Sequence, residues 1–386
     1  MEICYTSSMK MRTKKVAIGV LLLVAVIVTC ALLFREQITS LLMQPTESSV
    51  PAGNQGVATS DVQTVAKNIS TPWAMAKLPA GDILVTERSG QLQRIGQNGQ
   101  TFTIEGVRET SEGGLLGLAI HPKFDDNGWI YLYSTTDQNN QLTNRIERYT
   151  LTDDQLQDRT VILDAIPASS NHDGGALAFG PDEKLYATAG DANLQQQAQD
   201  TASLAGKLLR MNDDGSAPAD NPFGNLVWSY GHRNSQGITW DSKGQLWSTE
   251  HGPSGADTGR DELNLIVKGG NYGWPTVTGN ETREGMIAPV SQSGDSDTWA
   301  PGGVAYHDGT LYFSGLRGQS LYTATIADDN TVQLKRHLTG EYGRLRAVMA
   351  SDNQLYLSTS NNDGRGSPTS DDDRILRFNI NAFGRR

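Results

Sequence analysis

Four polar clusters in this 386-residue chain hold side chains able to do chemistry, and they lie far apart in sequence. The first is Ser170-Asn-His-Asp-Gly-Gly-Ala176. His172 is its candidate general base, because imidazole titrates near neutral pH. Asp191, in Ala189-Gly-Asp-Ala192, would orient His172 or a substrate hydroxyl; the competing reading is a turn histidine held by the adjacent Asp173. Gly174 and Gly175 would let main chain approach a ligand closely. The second is Gly231-His-Arg-Asn-Ser-Gln-Gly237. Arg233 offers a planar fork for a carboxylate and Asn234 both a donor and an acceptor, against the plainer reading of a turn with a structural Arg–Asp pair. The third joins Glu250-His-Gly-Pro253 to Asp261, Glu262 and Tyr272. The carbonyls of Gly252 and Pro253 and the Glu262 carboxylate are hard oxygen donors of the kind calcium takes, although no EF-hand loop is present. The fourth is Gly343-Arg-Leu-Arg346, where period-two spacing puts Arg344 and Arg346 on one face of a strand. Two guanidiniums on one face ask for a polyanion, unless they line a solvated edge. Arg317 precedes them by one repeat and would join them.

These clusters need a scaffold that converges distant loops. From Asp61 onward a turn rich in Asp, Asn or Gly leads repeatedly into a short apolar-aromatic run. The six runs are Gly81–Glu87, Asn127–Tyr133, Asp182–Thr188, Lys243–Thr249, Asp308–Ser314 and Asp352–Ser358. Several are followed by a second strand ending in a basic residue, as in Gly90–Arg94 and Lys207–Arg210. Six such units predict an all-β, six-bladed β-propeller over residues 61–386, with Asp61–Ala66 adding a strand to the last blade. Two β-sandwich domains are the alternative. In a propeller the clusters would meet at one channel mouth, and their excess of cations implies a ligand with several carboxylates.

Composition narrows the class. A net charge of −11 argues against a nucleic-acid surface. Charged residues make up 19% and glycines number 41, which suits a turn-rich β protein of extracellular type. The two cysteines, Cys4 and Cys30, precede the domain, so neither a disulfide within it nor a cysteine zinc site is available. Val16–Phe34 is uncharged and long enough to approach the span of a hydrocarbon core. Lys10, Arg12, Lys14 and Lys15 precede it, which predicts a cytoplasmic segment 1–15, a transmembrane helix 16–34 and the remainder outside, on the periplasmic side in a Gram-negative cell. A cleavable signal peptide is the competing reading. Residues 35–60 read as a polar tether.

Taken together, Glu112-Gly-Gly-Leu-Leu-Gly117, Asn171-His-Asp-Gly-Gly175, Gly231-His-Arg-Asn234, Glu250-His-Gly-Pro253, Asp261-Glu-Leu-Asn-Leu265, Asn271-Tyr-Gly-Trp-Pro275 and Arg344-Leu-Arg346 carry a resemblance to the soluble sugar dehydrogenases that depend on pyrroloquinoline quinone (PQQ). The resemblance runs over nearly all of residues 61–380. It implies a quinone in the channel mouth and an aldose substrate oxidised to a lactone, with an external electron acceptor. His172 would take the proton of the anomeric hydroxyl, with Asp191 and Arg233 completing the catalytic set. Glu112, Arg233, Asn234, Arg317, Arg344 and Arg346 would surround the cofactor. Gly252 and Pro253 would hold a calcium ion through main-chain oxygens, and Glu262 with Tyr272 a second. Three positions depart from the family pattern: Glu112 replaces a frequent Gln, Arg317 a common Lys, and Arg283 stands where a Tyr is expected. A propeller that binds carbohydrate or protein without redox activity is the alternative function. A calcium-dependent lactone hydrolase is a third, and would need several side-chain ligands on one ion.

Overall fold

The computed structural model describes residues 42–53, 61–153, 155–253 and 259–383, with scattered residues between 20 and 39. Strand β1 (Val62–Ala66) precedes the first blade, which comprises β2 (Pro72–Lys77), β3 (Ile83–Glu87), β4 (Gln91–Ile95) and β5 (Gln100–Thr103). The second blade holds β6 (Leu115–Ile120), β7 (Trp129–Gln138), β8 (Gln141–Leu151) and β9 (Leu156–Pro167). The third holds β10 (Leu177–Phe179), β11 (Leu185–Ala189), β12 (Lys207–Met211) and β13 (Val227–Tyr230). The fourth holds β14 (Ser235–Trp240), β15 (Leu246–Glu250), β16 (Glu262–Ile266) and β17 (Ser291–Gln292). The fifth holds β18 (Pro301–His307), β19 (Thr310–Gly315), β20 (Ser320–Ile326) and β21 (Val332–His337). The last combines β22 (Leu345–Ser351), β23 (Gln354–Thr359) and β24 (Ile375–Asn379) with β1.

The result is six four-stranded sheets, the propeller that the repeats predict. Each predicted apolar-aromatic run supplies the second strand of a blade. These strands are buried on both faces, as in Ile83–Glu87 and Leu185–Ala189, because neighbouring blades cover them. First strands touch their counterparts in order, β2 to β6, β10, β14, β18, β22 and back to β2, so the sheets close into a ring around an axial channel. β1 pairs antiparallel with β24, Val62 opposite Phe378, which confirms the predicted closing strand.

The hydroxyl residue near the end of a second strand has a recurrent use. Thr86 Oγ1 donates to Leu116 O at 2.6 Å, Thr249 Oγ1 to Gly302 O at 2.7 Å and Ser314 Oγ to Arg346 O at 2.5 Å. Each bond joins one blade to the first strand of the next, at a net contribution of about 1 kcal/mol. The basic residues that end third strands lock blades internally: Arg94 Nε meets Asp82 Oδ2 at 2.7 Å, and Arg210 Nε meets Asp182 Oδ2 at 2.9 Å.

Part of the segment read as a polar tether is docked on the ring. Val50 is buried among Trp247, Trp299 and Phe313. Thr46 and Ser48 donate to Asp297 at 3.2 and 2.5 Å, and Gly53 N donates to Arg336 O at 2.7 Å. Hydropathy alone hid this contact, because one valine among polar residues makes no pattern. The predicted membrane span Val16–Phe34 lies largely outside the described residues. Among those described, no helix is long and apolar enough to cross a membrane.

Candidate active site

Loops from all six blades meet over one end of the channel. The largest hollow there, about 760 Å³, is lined by residues that include Glu112, Asn171, His251, Gly252, Pro253, Arg317, Arg344 and Arg365. A deeper recess carries Trp73, Gln236, Arg344 and Arg346, and a third small hollow carries Arg233, Gly252, Pro253, Glu262, Tyr272 and Trp274. His251 lines all three. Trp73, Gln236 and Arg346 also line the axial channel and so form the floor between it and the site.

His172 sits in the turn before β10 with a left-handed backbone, φ 63°. Its Nδ1 lies 2.8 Å from Asp191 Oδ1. Asp191 Oδ2 accepts from the Trp274 indole at 2.8 Å, and Oδ1 also accepts from Asn193 N at 2.8 Å. Burial alone would raise the Asp191 carboxyl, but the bond and charge of His172, with those further donors, hold it below the usual range. An ionised carboxylate only accepts, so the proton between them is on His172 Nδ1, and of the two neutral tautomers this bond selects the one with its lone pair at Nε2. That is the tautomer a general base needs.

Asp191, and not Asp173, therefore orients the histidine. The Asp173 side chain turns away, accepting from Asn144 Nδ2 at 3.1 Å and Ser169 N at 3.2 Å, while its Oδ2 is buried without a partner. Burial pushes its carboxyl up to about 7. The folded state holds this proton more tightly than the unfolded chain, so the contribution is complete near pH 4 and is lost as pH rises through 7. Asp173→Asn removes that loss, and its melting temperature should exceed the wild type's by several degrees at pH 8 and match it near pH 4. Equal melting temperatures at pH 8 would show that Asp173 is not held neutral.

The glycines beside it serve packing. A Cβ on Gly174 would come within 2.6 Å of Thr188 O, and one on Gly175 within 2.8 Å of Leu116. The lack of a side chain at these two positions lets the protein's own main chain and Leu116 pack this closely.

His232 contrasts with His172. Its Nδ1 meets Glu250 Oε2 at 2.8 Å, its Nε2 meets Ser229 Oγ at 2.9 Å, and its ring stacks on Tyr272 at 4.6 Å. Both nitrogens are spent inside the protein. Glu250 also accepts from Ser235 Oγ at 2.9 Å and from Arg233 N. Burial opposes its charge, yet His232 and these donors hold the Glu250 carboxyl low. Glu250 thus fixes the main chain that presents Arg233 and Asn234. The Arg233 guanidinium reaches His251 O at 3.3 Å and lies 5.4 Å from the Trp274 ring centre. Asn234 Oδ1 accepts from Gly174 N at 3.0 Å, while its Nδ2 is buried without a partner. His251 donates from Nε2 to Pro301 O at 3.0 Å; burial first, then Arg346 and Arg233, push it down to about 3, so it stays neutral.

The paired arginines share a wall but have separate engagements. Arg344 gives Nε and Nη2 to Asp363 Oδ2 at 3.1 and 2.8 Å. Arg346 bonds the neutral Gln236 Oε1 at 2.5 Å and lies 4.5 Å from the Trp73 ring centre; burial brings it down to about 9. Arg317 lines the large hollow, and its guanidinium reaches the main-chain oxygens of Gln44 and Leu42 at 3.5 and 3.4 Å. Glu112 accepts from His172 N at 3.0 Å and faces Arg365 Nη1 at 3.4 Å.

Around the proposed calcium positions, Gly252 N donates to Asp261 Oδ1 at 2.9 Å, and Asp261 Oδ2 accepts from Trp299 N and Ala300 N. Burial raises the Asp261 carboxyl to about 6. Glu262 stands opposite Glu250 in the β15–β16 register; burial first, then that like charge, raises it to about 8. The Tyr272 hydroxyl donates to Leu265 O at 2.6 Å and accepts from Val267 N, which leaves a ligand role to its main-chain oxygen. Among the described residues no three His, Cys, Asp or Glu side chains are placed to share a metal.

Sequence reasoning passed over Trp274, His251, Asp363 and Arg365. Trp274 and His251 stood within recognised motifs, whereas Asp363 and Arg365 lie in Asn361-Asn-Asp-Gly-Arg365, which reads as an ordinary turn.

Residues 69–376 match the glucose/sorbosone dehydrogenase family. The chain is 30% identical over 344 residues to the aldose sugar dehydrogenase YliI of Escherichia coli, spanning 80% of this chain and 92% of that one. It is 37% identical over 263 residues to quinoprotein glucose dehydrogenase B of Acinetobacter calcoaceticus, covering 58% of this chain and 54% of the relative. In structure it is similar to the PQQ-bound aldose sugar dehydrogenase of Streptomyces coelicolor, with a TM-score of 0.77 and 38% identity over 87% of this chain and 99% of that one.

Proposed function

Because the chain belongs to the glucose/sorbosone dehydrogenase family, whose relatives include quinoprotein sugar dehydrogenases, we propose that it oxidises aldose sugars at the anomeric carbon to lactones using PQQ and calcium. The observation that carries this reading is the Asp191–His172 pair, a base held in its active tautomer at a mouth ringed by buried arginines. Two features suit a tricarboxylate cofactor. Asn234 Nδ2 is a buried donor without a partner, and Arg346 is a buried cation bonded to a neutral amide. Each would gain from a bound carboxylate.

PQQ when bound supplies the hydride acceptor, and calcium the polarisation of its carbonyl. The chain's own residues do the rest. His172 Nε2 takes the proton of the anomeric hydroxyl as the C–H bond yields its hydride and a C=O bond forms. Asp191 stabilises the imidazolium and keeps the ring oriented, and Trp274 holds Asp191. Arg233, Asn234, Arg344 and Arg346 position the cofactor, with Glu112 and Arg317 beside it. Gly252 and Pro253 offer main-chain oxygens to one calcium, and Glu262 with the Tyr272 carbonyl to another. Arg233, whose main-chain oxygen accepts from Asp191 N and whose guanidinium feels the Asp191 charge, completes the catalytic set.

The same reading keeps the domain outside the cytoplasm, anchored through residues 16–34 and passing electrons to an external acceptor. Reconstituting membrane and soluble fractions of cells expressing the full chain, with PQQ and calcium, tests both parts by dye reduction over a sugar panel. Activity that sediments with the membranes is the expected result. Activity of the full-length chain in the soluble fraction alone would remove the anchor. No activity and no quinone absorbance in either would remove the dehydrogenase, and sugar binding without quinone uptake would favour a binding propeller.

A further inference from the structure

Glu112 poses an electrostatic problem, since it is an acid on the wall of a hollow that, in the reading above, takes an anion with several carboxylates. The structure supplies an answer from the far end of the sequence. Arg365, in the loop between β23 and β24, places Nη1 3.4 Å from Glu112 Oε1 and donates from Nη2 to Ser111 Oγ at 3.0 Å. Its main-chain N–H is fixed by Asp363 Oδ1 at 2.9 Å, and the other Asp363 oxygen holds Arg344. Both Glu112 and Arg365 line the large hollow and the deeper recess. The second Glu112 oxygen accepts from His172 N, the residue whose left-handed backbone aims the base. Burial alone would raise the Glu112 carboxyl; Arg365 foremost, with the hydrogen bond from His172 N, holds it ionised and below its usual range.

We propose that Arg365 is a positioning residue that cancels the charge of Glu112 toward the anionic cofactor and holds its carboxylate against the His172 main chain. The pair does with two residues what one neutral side chain would do at position 112. Arg365 acts through Glu112 and is not itself a cofactor ligand. An unpaired carboxylate at the mouth repels each cofactor carboxylate through a poorly screened medium, whereas the pair repels little. This inference rests on the dehydrogenase reading, and the experiment separates the two.

PQQ is titrated into the full chain in the presence of calcium and followed by quenching of tryptophan fluorescence, for the wild type, Arg365→Gln, Glu112→Gln and the double variant. Arg365→Gln keeps a donor for Ser111 and is expected to weaken quinone binding by about tenfold or more. Glu112→Gln is expected to bind at least as tightly as the wild type, and the double variant to return to within about threefold of it. A double variant as weak as Arg365→Gln would make Arg365 a direct ligand and overturn the inference, as would an Arg365→Gln that binds like the wild type. Should Arg365→Gln fail to fold, Arg365→Lys against the wild type applies the same test, because a retained charge should retain most of the affinity. A wild type that takes up no quinone fails the dehydrogenase reading instead.

Discussion

Replacing His172 by Asn is expected to lower kcat by about two to four orders of magnitude while leaving quinone affinity within a few-fold of the wild type. Asparagine is the informative substitute. The position has a positive φ, which asparagine tolerates better than most residues, so the turn that carries Glu112's partner N–H should survive. Asparagine also keeps a polar group beside Asp191 but has no lone pair able to take a proton near neutral pH. Loss of proton transfer should appear in kcat and in the pH profile, not in quinone uptake. A variant that turns over at the wild-type rate would take the base role away from His172. One that also loses the quinone would make the histidine a structural support of the site.

The second large effect is expected at Arg346. Arg346→Met should cost about two to three orders of magnitude in quinone affinity, because truncating one side of a buried charge pair commonly costs 2–5 kcal/mol. The same change should raise the melting temperature of the cofactor-free protein, or at least preserve it. Without cofactor, Arg346 is a buried cation over Trp73 that is bonded to a neutral amide, and burial pulls its proton affinity down to about 9. Methionine fills much of the same space without desolvating a charge. Binding and stability then move in opposite directions, as at sites that store instability for function. A melting temperature that falls while quinone titration is unchanged would show Arg346 to be structural.

The sequence made the ring readable because its signal is local and repeated. A turn and an apolar-aromatic run recur six times, and each run becomes the second strand of a blade. The site was readable where function concentrates in short motifs, as in His172 with Asp191, or Arg233 with Asn234. It was unreadable where a partner comes across the ring. Glu112 meets Arg365 only once the closed ring brings the β23–β24 loop over to the loop that enters β6, and no spacing rule links two residues that far apart. The sequence offered both Asp191 and Asp173 as partners for His172, and only the structure decides between them. Neighbours in sequence need not face one another, and the left-handed turn at His172 swings the two side chains to opposite sides. Val50 was hidden because an isolated valine has no periodicity to reveal it.

Pairing of β1 with β24 carries a cost in time. Val62 and Phe378 lie near opposite ends of the domain, and closing a loop of that length costs on the order of 5 kcal/mol of chain entropy. The outer strand of the last blade, β1, is made first but has nothing to pair with until residues 375–379 are available, so synthesis must be nearly complete before the ring can shut. Until then β23 presents an unpaired edge on one side and β1 waits without a partner, which makes the nascent chain prone to pairing with copies of itself. Such a chain would need protection from neighbours for as long as its C-terminal end is missing, and a truncation that removes β24 should yield an open, aggregating arc in place of a smaller propeller.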